Sequence, residues 1–277
     1  MTRLKTDDIG HIAGDLQAYD RRLRSNLGIS LANLACRAAG LPLADRSDHL
    51  RGLRVTAVPM TCGQGVIDTF SQTLCGIARL LGFTAAVTEL NDVAGLARAF
   101  ESESDIILVA DDARFIAFNT RTRKVVDNGE ATGSGFATGL AYMAGSVEDR
   151  PVLVLGCGPV GKSCARKVAE LGGRVTIYDI VPERCRRFAA DNHDLDITIA
   201  DSLSSALAGH DLILEATPAA DIIGAEMILD STLVAAPGVP CGVSAKGREF
   251  LGGRLLWDPL QIGVATMLME AVQDQWA

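Results

Sequence analysis

The apolar run Pro151-Val-Leu-Val-Leu155 passes straight into Gly156-Cys-Gly158-Pro-Val-Gly161, and a helix-forming stretch, 162–171, follows. No other feature restricts the fold as much. Five apolar residues in a row read as a strand buried on both faces. Gly156 allows the tight turn that leaves this strand. Gly158 lets the backbone approach a pyrophosphate, and Gly161 lets the following helix pack on the strand. Pro159 falls in the first helical turn, where a missing N–H is tolerated. The helix N-terminus offers its free N–H groups to an anion, so Gly156, Gly158, Pro159, Val160 and Gly161 are the expected dinucleotide contacts.

A glycine pattern alone is weak, but its surroundings support it. The next strand, Arg174–Tyr178, ends in Asp179, 18 residues beyond Gly161. An acidic residue there can bind the ribose 2′-hydroxyl of NAD. Ile180-Val-Pro-Glu183 contains no basic residue, which favours NAD over NADP. The competing role for Asp179 is to cap a helix beginning at Pro182. Strands at 196–199, 211–214, 232–235 and 255–258, with helices at 203–207 and 260–272, continue the pattern. Thr217-Pro218, at the carboxyl end of the 211–214 strand, is expected near the nicotinamide ribose; a plain strand-to-loop stop is the alternative.

The first half of the chain reads differently. Leu16, Leu23, Leu27, Leu31 and Leu34 follow a 3.6-residue period, so 3–39 is expected to be helical with a break near Gly28. Strands at 53–58, 83–87 and 105–110 alternate with helices at 66–81 and 92–102. That order implies a small parallel sheet with right-handed crossovers. Runs at 115–119 and 125–128 around a basic tip suggest a hairpin. A helix at 131–143 and a linker at 146–150 lead onward. The expected fold is α/β: residues 1–145 form a helical and small α/β substrate domain, and residues 146–277 a Rossmann NAD-binding domain.

Composition narrows the partners. The net charge of −8 argues against nucleic acid, whose phosphates need a basic face. The basic clusters Arg21, Arg22, Arg24 and Arg121, Arg123, Lys124 read as a helix face and a hairpin tip. No uncharged apolar run is long enough for a membrane span, and the N-terminus lacks the apolar core of a signal peptide. A cytoplasmic enzyme with no membrane partner is expected. Seven cysteines without a C-x-x-C pair and four scattered histidines (His11, His49, His193, His210) point to no metal. The Ala-rich, acidic helices permit a homodimer without requiring one.

Domain pairs of this kind take substrate in the cleft between them. One wall is expected at the end of the 105–110 strand, which carries Asp111-Asp112. Successive side chains of an extended chain point oppositely, so one of the two is expected to face the cleft; a solvated turn or a cation site is the other reading. The glycine-rich loop Thr61–Gly65 ends the first strand of the same sheet.

Five segments in order carry a more specific signal: Val-Pro-Met-Thr-Cys-Gly-Gln-Gly (58–65), Ala-Asp-Asp-Ala-Arg-Phe-Ile-Ala-Phe-Asn (110–119), Asp-Asn-Gly-Glu-Ala-Thr-Gly-Ser-Gly-Phe (127–136), the glycine loop (152–161), and Asp-Pro-Leu-Gln-Ile-Gly-Val-Ala-Thr-Met (258–267). Together they resemble the pyrrolysine synthase family over nearly the whole chain. The segments around Asp112 and Gln261 are the discriminating ones. The resemblance implies NAD-dependent oxidation of the terminal amine carbon of a 3-methyl-D-ornithine moiety that is amide-linked to the side-chain nitrogen of L-lysine. Ring closure on the resulting imine or semialdehyde then releases ammonia. It further implies Asp112 or Asp111 as the carboxylate that positions the amine and passes on its proton. Thr61, Asn119 and Asn128 are the implied substrate contacts. The alternative is a two-domain dehydrogenase of the shikimate or amino-acid kind, against which the absence of a suitably placed lysine counts. A non-catalytic NAD sensor has no positive support.

Overall fold

Strand propensity resolves into two separate sheets in the computed structural model, which describes residues 4–43 and 50–275. His49 lies outside the described residues. The chain packs as two units. The first comprises the described residues of Met1–Ser25, Ile29–Ala131 and Leu260–Ala277; the second comprises Asn26–Gly28 and Thr132–Pro259.

Helices α1 (Thr6–Ile9), α2 (Ile12–Leu27) and α3 (Leu31–Ala38) open the chain. The break after α2 comes at Gly28, whose φ of +72° suits a residue without a Cβ. Ser30 then caps α3 by accepting the Asn33 amide at 3.2 Å. The sheet of the first unit contains β1 (Arg54–Val58), β2 (Thr84–Val87), β3 (Ile106–Ala110), β4 (Phe115–Asn119) and β5 (Val125–Asp127), in the order β2-β1-β3-β4-β5. Helices α4 (Phe70–Leu81) and α5 (Asp92–Glu101) make the crossovers between β1, β2 and β3, which are parallel. The expected hairpin forms, and β4 also pairs antiparallel with β3, with Ala110 opposite Phe115 and Ile106 opposite Asn119. The α4 helix begins at Phe70 rather than 66, after Thr69 turns into the left-handed region at φ +64°.

Helix α6 (Asn128–Met143) starts directly off β5, three residues before its expected start, because Asp127 Oδ1 accepts the Gly129 amide at 2.9 Å. The second unit then builds six parallel strands in the order β11-β10-β9-β6-β7-β8. They are β6 (Pro151–Leu155), β7 (Arg174–Tyr178), β8 (Ile197–Ile199), β9 (Leu212–Glu215), β10 (Leu233–Ala236) and β11 (Leu255–Trp257). Helices α7 (Pro159–Glu170), α8 (Pro182–Asp191), α9 (Leu203–Ala208) and α10 (Ala245–Leu251) connect them, except that β9 reaches β10 through a 3-10 turn at Ala225–Met227. The strand order reverses between β6 and β9, and a doubly wound sheet takes its ligand at the carboxyl ends of the strands at that point.

Two expectations about the domains need correction. The division comes inside α6, at residues 131 and 132, and not at 145 and 146. The last helix, α11 (Gln261–Val272), belongs to the first unit, not to the Rossmann unit that precedes it in the chain. Its residues 261–269 are all buried, as befits a helix that is apolar all round. Asn119 Nδ2 donates to the Ala271 carbonyl at 2.8 Å, and Lys124 Nζ to Gln273 Oε1 at 3.0 Å, which fastens its carboxyl end to the hairpin. Among the described residues, no helix is long and apolar enough to cross a membrane.

Candidate cofactor and substrate sites

The three glycines of the β6–α7 loop have separate jobs. Gly156 has φ +90°, and a Cβ there would stand 2.8 Å from the Ala216 carbonyl oxygen. At Gly161 a Cβ would run into the Gly156 carbonyl oxygen, so this residue sets how closely α7 lies on β6. At Gly158, the N-cap of α7, a Cβ would meet nothing within 4 Å. Packing therefore explains the first and third glycines but leaves the second facing open space. An open approach to a helix N-terminus fits a pyrophosphate. Pro159 is the first residue of α7 and Val160 the second.

Asp179 follows β7 and is buried. Its Oδ2 accepts the Cys157 amide at 2.7 Å and its Oδ1 accepts the Val181 amide at 2.8 Å. The carboxylate thus braces both the glycine loop and the turn into α8. Each carboxylate oxygen keeps further lone-pair capacity for a ribose hydroxyl. Arg184, in the first turn of α8, brings its guanidinium to 3.7 Å from Oδ1.

Sequence reasoning passed over Glu215, the last residue of β9. Its side chain is fully buried. Oε1 accepts both the amide and the hydroxyl of Thr217, at 2.8 and 2.5 Å, and Oε2 accepts the Gly242 amide at 3.0 Å. Glycines at 238 and 242 leave room for it: a Cβ at 238 would stand 2.8 Å from Oε2, and one at 242 would strike the carboxyl carbon. Burial pushes this carboxyl above the ordinary glutamate range, against the pull of the bonds from Thr217 and Gly242. Glu215 therefore ties the loop carrying Thr217 and the exposed Pro218 to the loop after β10. A glutamate closing the apolar run Leu212-Ile-Leu was the available signal.

In the first unit, the parallel strands β1 and β3 bring their carboxyl ends to one edge. There Asp112 Oδ2 accepts the Gln64 amide at 2.8 Å, joining the loop after β1 to the turn after β3. The neighbouring Asp111 does something else. Its Oδ1 accepts the amides of Arg114 and Ala113, at 2.7 and 2.8 Å, and these bonds hold its carboxyl below the usual range. It is the turn-forming member of the pair. Thr61 donates its amide to Asp92 Oδ1 at 2.7 Å, and its hydroxyl to Asp92 Oδ2, so it latches the same loop to α5. Those bonds also hold the Asp92 carboxyl low. Asn128, the first residue of α6 directly after β5, is buried at this edge too.

Asn119 requires correction as a substrate contact. Because β4 runs antiparallel to β3, its carboxyl end lies at the opposite edge from Asp112. The side chain is fully buried, with Oδ1 accepting the amides of Arg121 and Thr122, both at 3.0 Å, and Nδ2 bound to Ala271. It closes the hairpin and anchors α11.

Comparison with known proteins covers both units. The family model for the N-terminal domain of the pyrrolysine biosynthesis protein PylD matches residues 8–126. The model for the alanine dehydrogenase/PNT C-terminal domain matches residues 126–232. The pyrrolysine synthase of Methanosarcina acetivorans is 31% identical over 274 residues, which cover 97% of this chain and 98% of that one. The pyrrolysine synthase of Methanosarcina barkeri is 30% identical over 268 residues, covering 97% of each chain. Similar folds occur in quinate dehydrogenase from Corynebacterium glutamicum, solved in complex with NAD, with a TM-score of 0.56, 11% identity, and coverage of 81% of this chain and 94% of that one. Shikimate dehydrogenase from Aquifex aeolicus gives a TM-score of 0.55 at 15% identity, with coverage of 80% and 91%. At such identities these two speak for the fold alone. The relatedness to the curated synthases is of another order, running from end to end, and on it the chain belongs to the pyrrolysine synthase family.

Proposed function

We propose that this protein is an NAD-dependent dehydrogenase of pyrrolysine biosynthesis that converts 3-methyl-D-ornithyl-Nε-L-lysine to L-pyrrolysine with release of ammonia. The observation that carries this reading is the 31% identity to a pyrrolysine synthase over 97% of the chain, because it spans the N-terminal unit as well as the dinucleotide unit. Gly156, Gly158, Pro159, Val160 and Gly161 would hold the pyrophosphate at the start of α7. Asp179 would take the adenosine ribose, and Thr217 and Pro218 the nicotinamide ribose. NAD, when bound, supplies an acceptor for the hydride on the amine-bearing carbon.

Asp112 would bind the terminal ammonium of the substrate. An alkyl ammonium has a pKa of about 10.4, and only the neutral amine can expel hydride from its carbon. A carboxylate nearby also raises the pKa of the amine, so Asp112 positions the amine first and relays its proton second. Thr61 acts through Asp92 to hold the loop that Asp112 grips. Asn128 is the remaining candidate for a hydrogen bond to the substrate. The oxidised carbon becomes an imine, or a semialdehyde after hydrolysis. The free α-amine of the ornithine part attacks it, ammonia or water leaves, and a five-membered cyclic imine forms. Such intramolecular attack can reach an effective molarity on the order of 10⁵ M, so closure asks little of the protein beyond a bent chain.

The test is purified protein with NAD and lysine carrying D-ornithine as an amide on its side-chain nitrogen. Reduced nicotinamide should appear together with a pyrroline product detected by mass. No reduction with this compound, alongside turnover of a simple hydroxy or amino acid, would overturn the reading.

A further inference from the structure

Three buried oxygens in the first unit have no hydrogen-bond partner among the described residues: Thr69 Oγ1, Gln261 Oε1 and, further along the helix that Gln261 opens, Thr266 Oγ1. Gln261 is 6% exposed and is the first residue of α11. Buried polar atoms are almost always paired, and one left open asks for an explanation. Thr69 adds a second oddity. It is the N-cap of α4, yet its side chain makes no cap bond, and a β-branched residue is held at φ +64°. Threonine at an N-cap normally accepts a helix amide, and non-glycine residues seldom sit in the left-handed region unless the surroundings enforce it.

Thr69 is at the edge where Asp112 lies, and helix geometry points Gln261 to the same edge. The carboxyl end of α11 is pinned near Asn119 and Lys124 by the bonds to Ala271 and Gln273. A helix of this length rises about 18 Å, which puts its first residue toward the other end of β4 and β5. That end is where Ala110 pairs with Phe115 and Ile116 with Asp127. Phe70 meets the Phe115 ring edge-on at 5.5 Å, so Thr69 shares this edge. The turn 111–114 and the loop it grips are there as well.

We infer that Gln261 and Thr69 form a polar binding site for an N–H group of the substrate, an ammonium or the amide, with Gln261 Oε1 as the acceptor and the Thr69 hydroxyl beside it. The identity of the substrate rests on the function proposed above; the existence of the site does not. Two neutral oxygens at the sheet edge that also carries the Asp112 carboxylate suit a ligand rich in N–H donors. Leaving them open in the free protein costs stability, and binding recovers it.

Gln261→Leu and Thr69→Val, made separately, test this by melting temperature without ligand, NADH affinity by fluorescence, and kinetics with the ornithyl-lysine amide. A ligand site predicts an unchanged or raised melting temperature, unchanged NADH affinity, and kcat/KM lowered about 10–100-fold, the effect of a hydrogen bond to a charged group. A melting temperature lowered in the ligand-free protein overturns the inference, since the groups would then be structural. Unchanged kcat/KM in both variants overturns it too. A wild-type protein that binds NADH but leaves the ornithyl-lysine amide untouched overturns the functional reading instead. In that event the ligand-free melting temperatures still decide the site.

Discussion

Asp112 accepts the Gln64 amide at 2.8 Å across 48 residues of sequence, and the glycine beside Gln64 makes this possible. A Cβ at Gly63, where φ is +67°, would collide with the Asp112 carboxylate. Asp111 next door faces the backbone of its own turn. The two carboxylates are therefore separable by mutation. Asp112→Asn is expected to lower kcat/KM with the ornithyl-lysine amide by about 10²-fold or more, the lower range for a group that assists proton transfer. Asp111→Asn can still form the turn and should stay within about twofold of wild type. Steady-state kinetics on both variants decides it, and equal losses would retire the division of labour.

The glycines of the β6–α7 loop make a second pair of opposite expectations. Gly161→Ala drives a Cβ into the Gly156 carbonyl, a backbone clash that no rotamer relieves. Its melting temperature should fall by roughly 5 °C. Gly158→Ala meets nothing, so the protein should melt as wild type while NADH binds about tenfold more weakly, a loss of roughly 1.4 kcal/mol. Calorimetry with fluorescence titration separates them. Unimpaired NADH binding by Gly158→Ala would show that the pyrophosphate does not lie there.

These residues also mark what local sequence can and cannot say. The glycine loop was legible because strand, turn and helix requirements all fall within twenty residues. The parallel strands β1, β2 and β3 were legible from their apolar runs and intervening helices. Asn119 was misplaced because nothing local tells which way β4 runs; reversal at residues 111–114 sends its carboxyl end to the far edge. Helix α11 was assigned to the wrong unit for a related reason. Its uniform apolarity says that it is buried, but the core that buries it is chosen by tertiary contacts, among them Asn119 with Ala271. Gln261, leading that helix, stood in the sequence only as part of a segment carrying the resemblance; that its side chain is buried is a tertiary fact.

Glu215 gives the chain a distinct pH signature. Burial raises its carboxyl above the ordinary glutamate range, so the folded state binds the proton more tightly than the unfolded chain. Its contribution to stability is thus fully present below the unfolded pKa and declines as pH rises through the raised folded value. The melting temperature of wild type relative to Glu215→Gln should fall as pH increases from about 4.5. Scans at several pH values check this, and a difference that grows with pH would contradict it.

Cofactor choice turns on Asp179 and Arg184. The sequence argument for NAD was that no basic residue directly follows Asp179, but the first turn of α8 brings Arg184 to 3.7 Å from its carboxylate. A 2′-phosphate would therefore meet both an anion and a cation. Asp179 is buried and Arg184 is 59% exposed, so solvent screens the arginine more strongly and the carboxylate dominates. NAD should bind in preference to NADP. Asp179→Asn removes the charge while keeping one acceptor oxygen, which should weaken NADH by about tenfold, the worth of a charge-assisted hydrogen bond. NADPH should bind more tightly in the same variant, because Arg184 loses its competing partner. Adding Arg184→Ala should abolish that gain while leaving the NADH loss in place. Fluorescence titration of both reduced cofactors reads all three proteins. A gain in NADPH affinity that survives without Arg184 would mean that another group reads the phosphate.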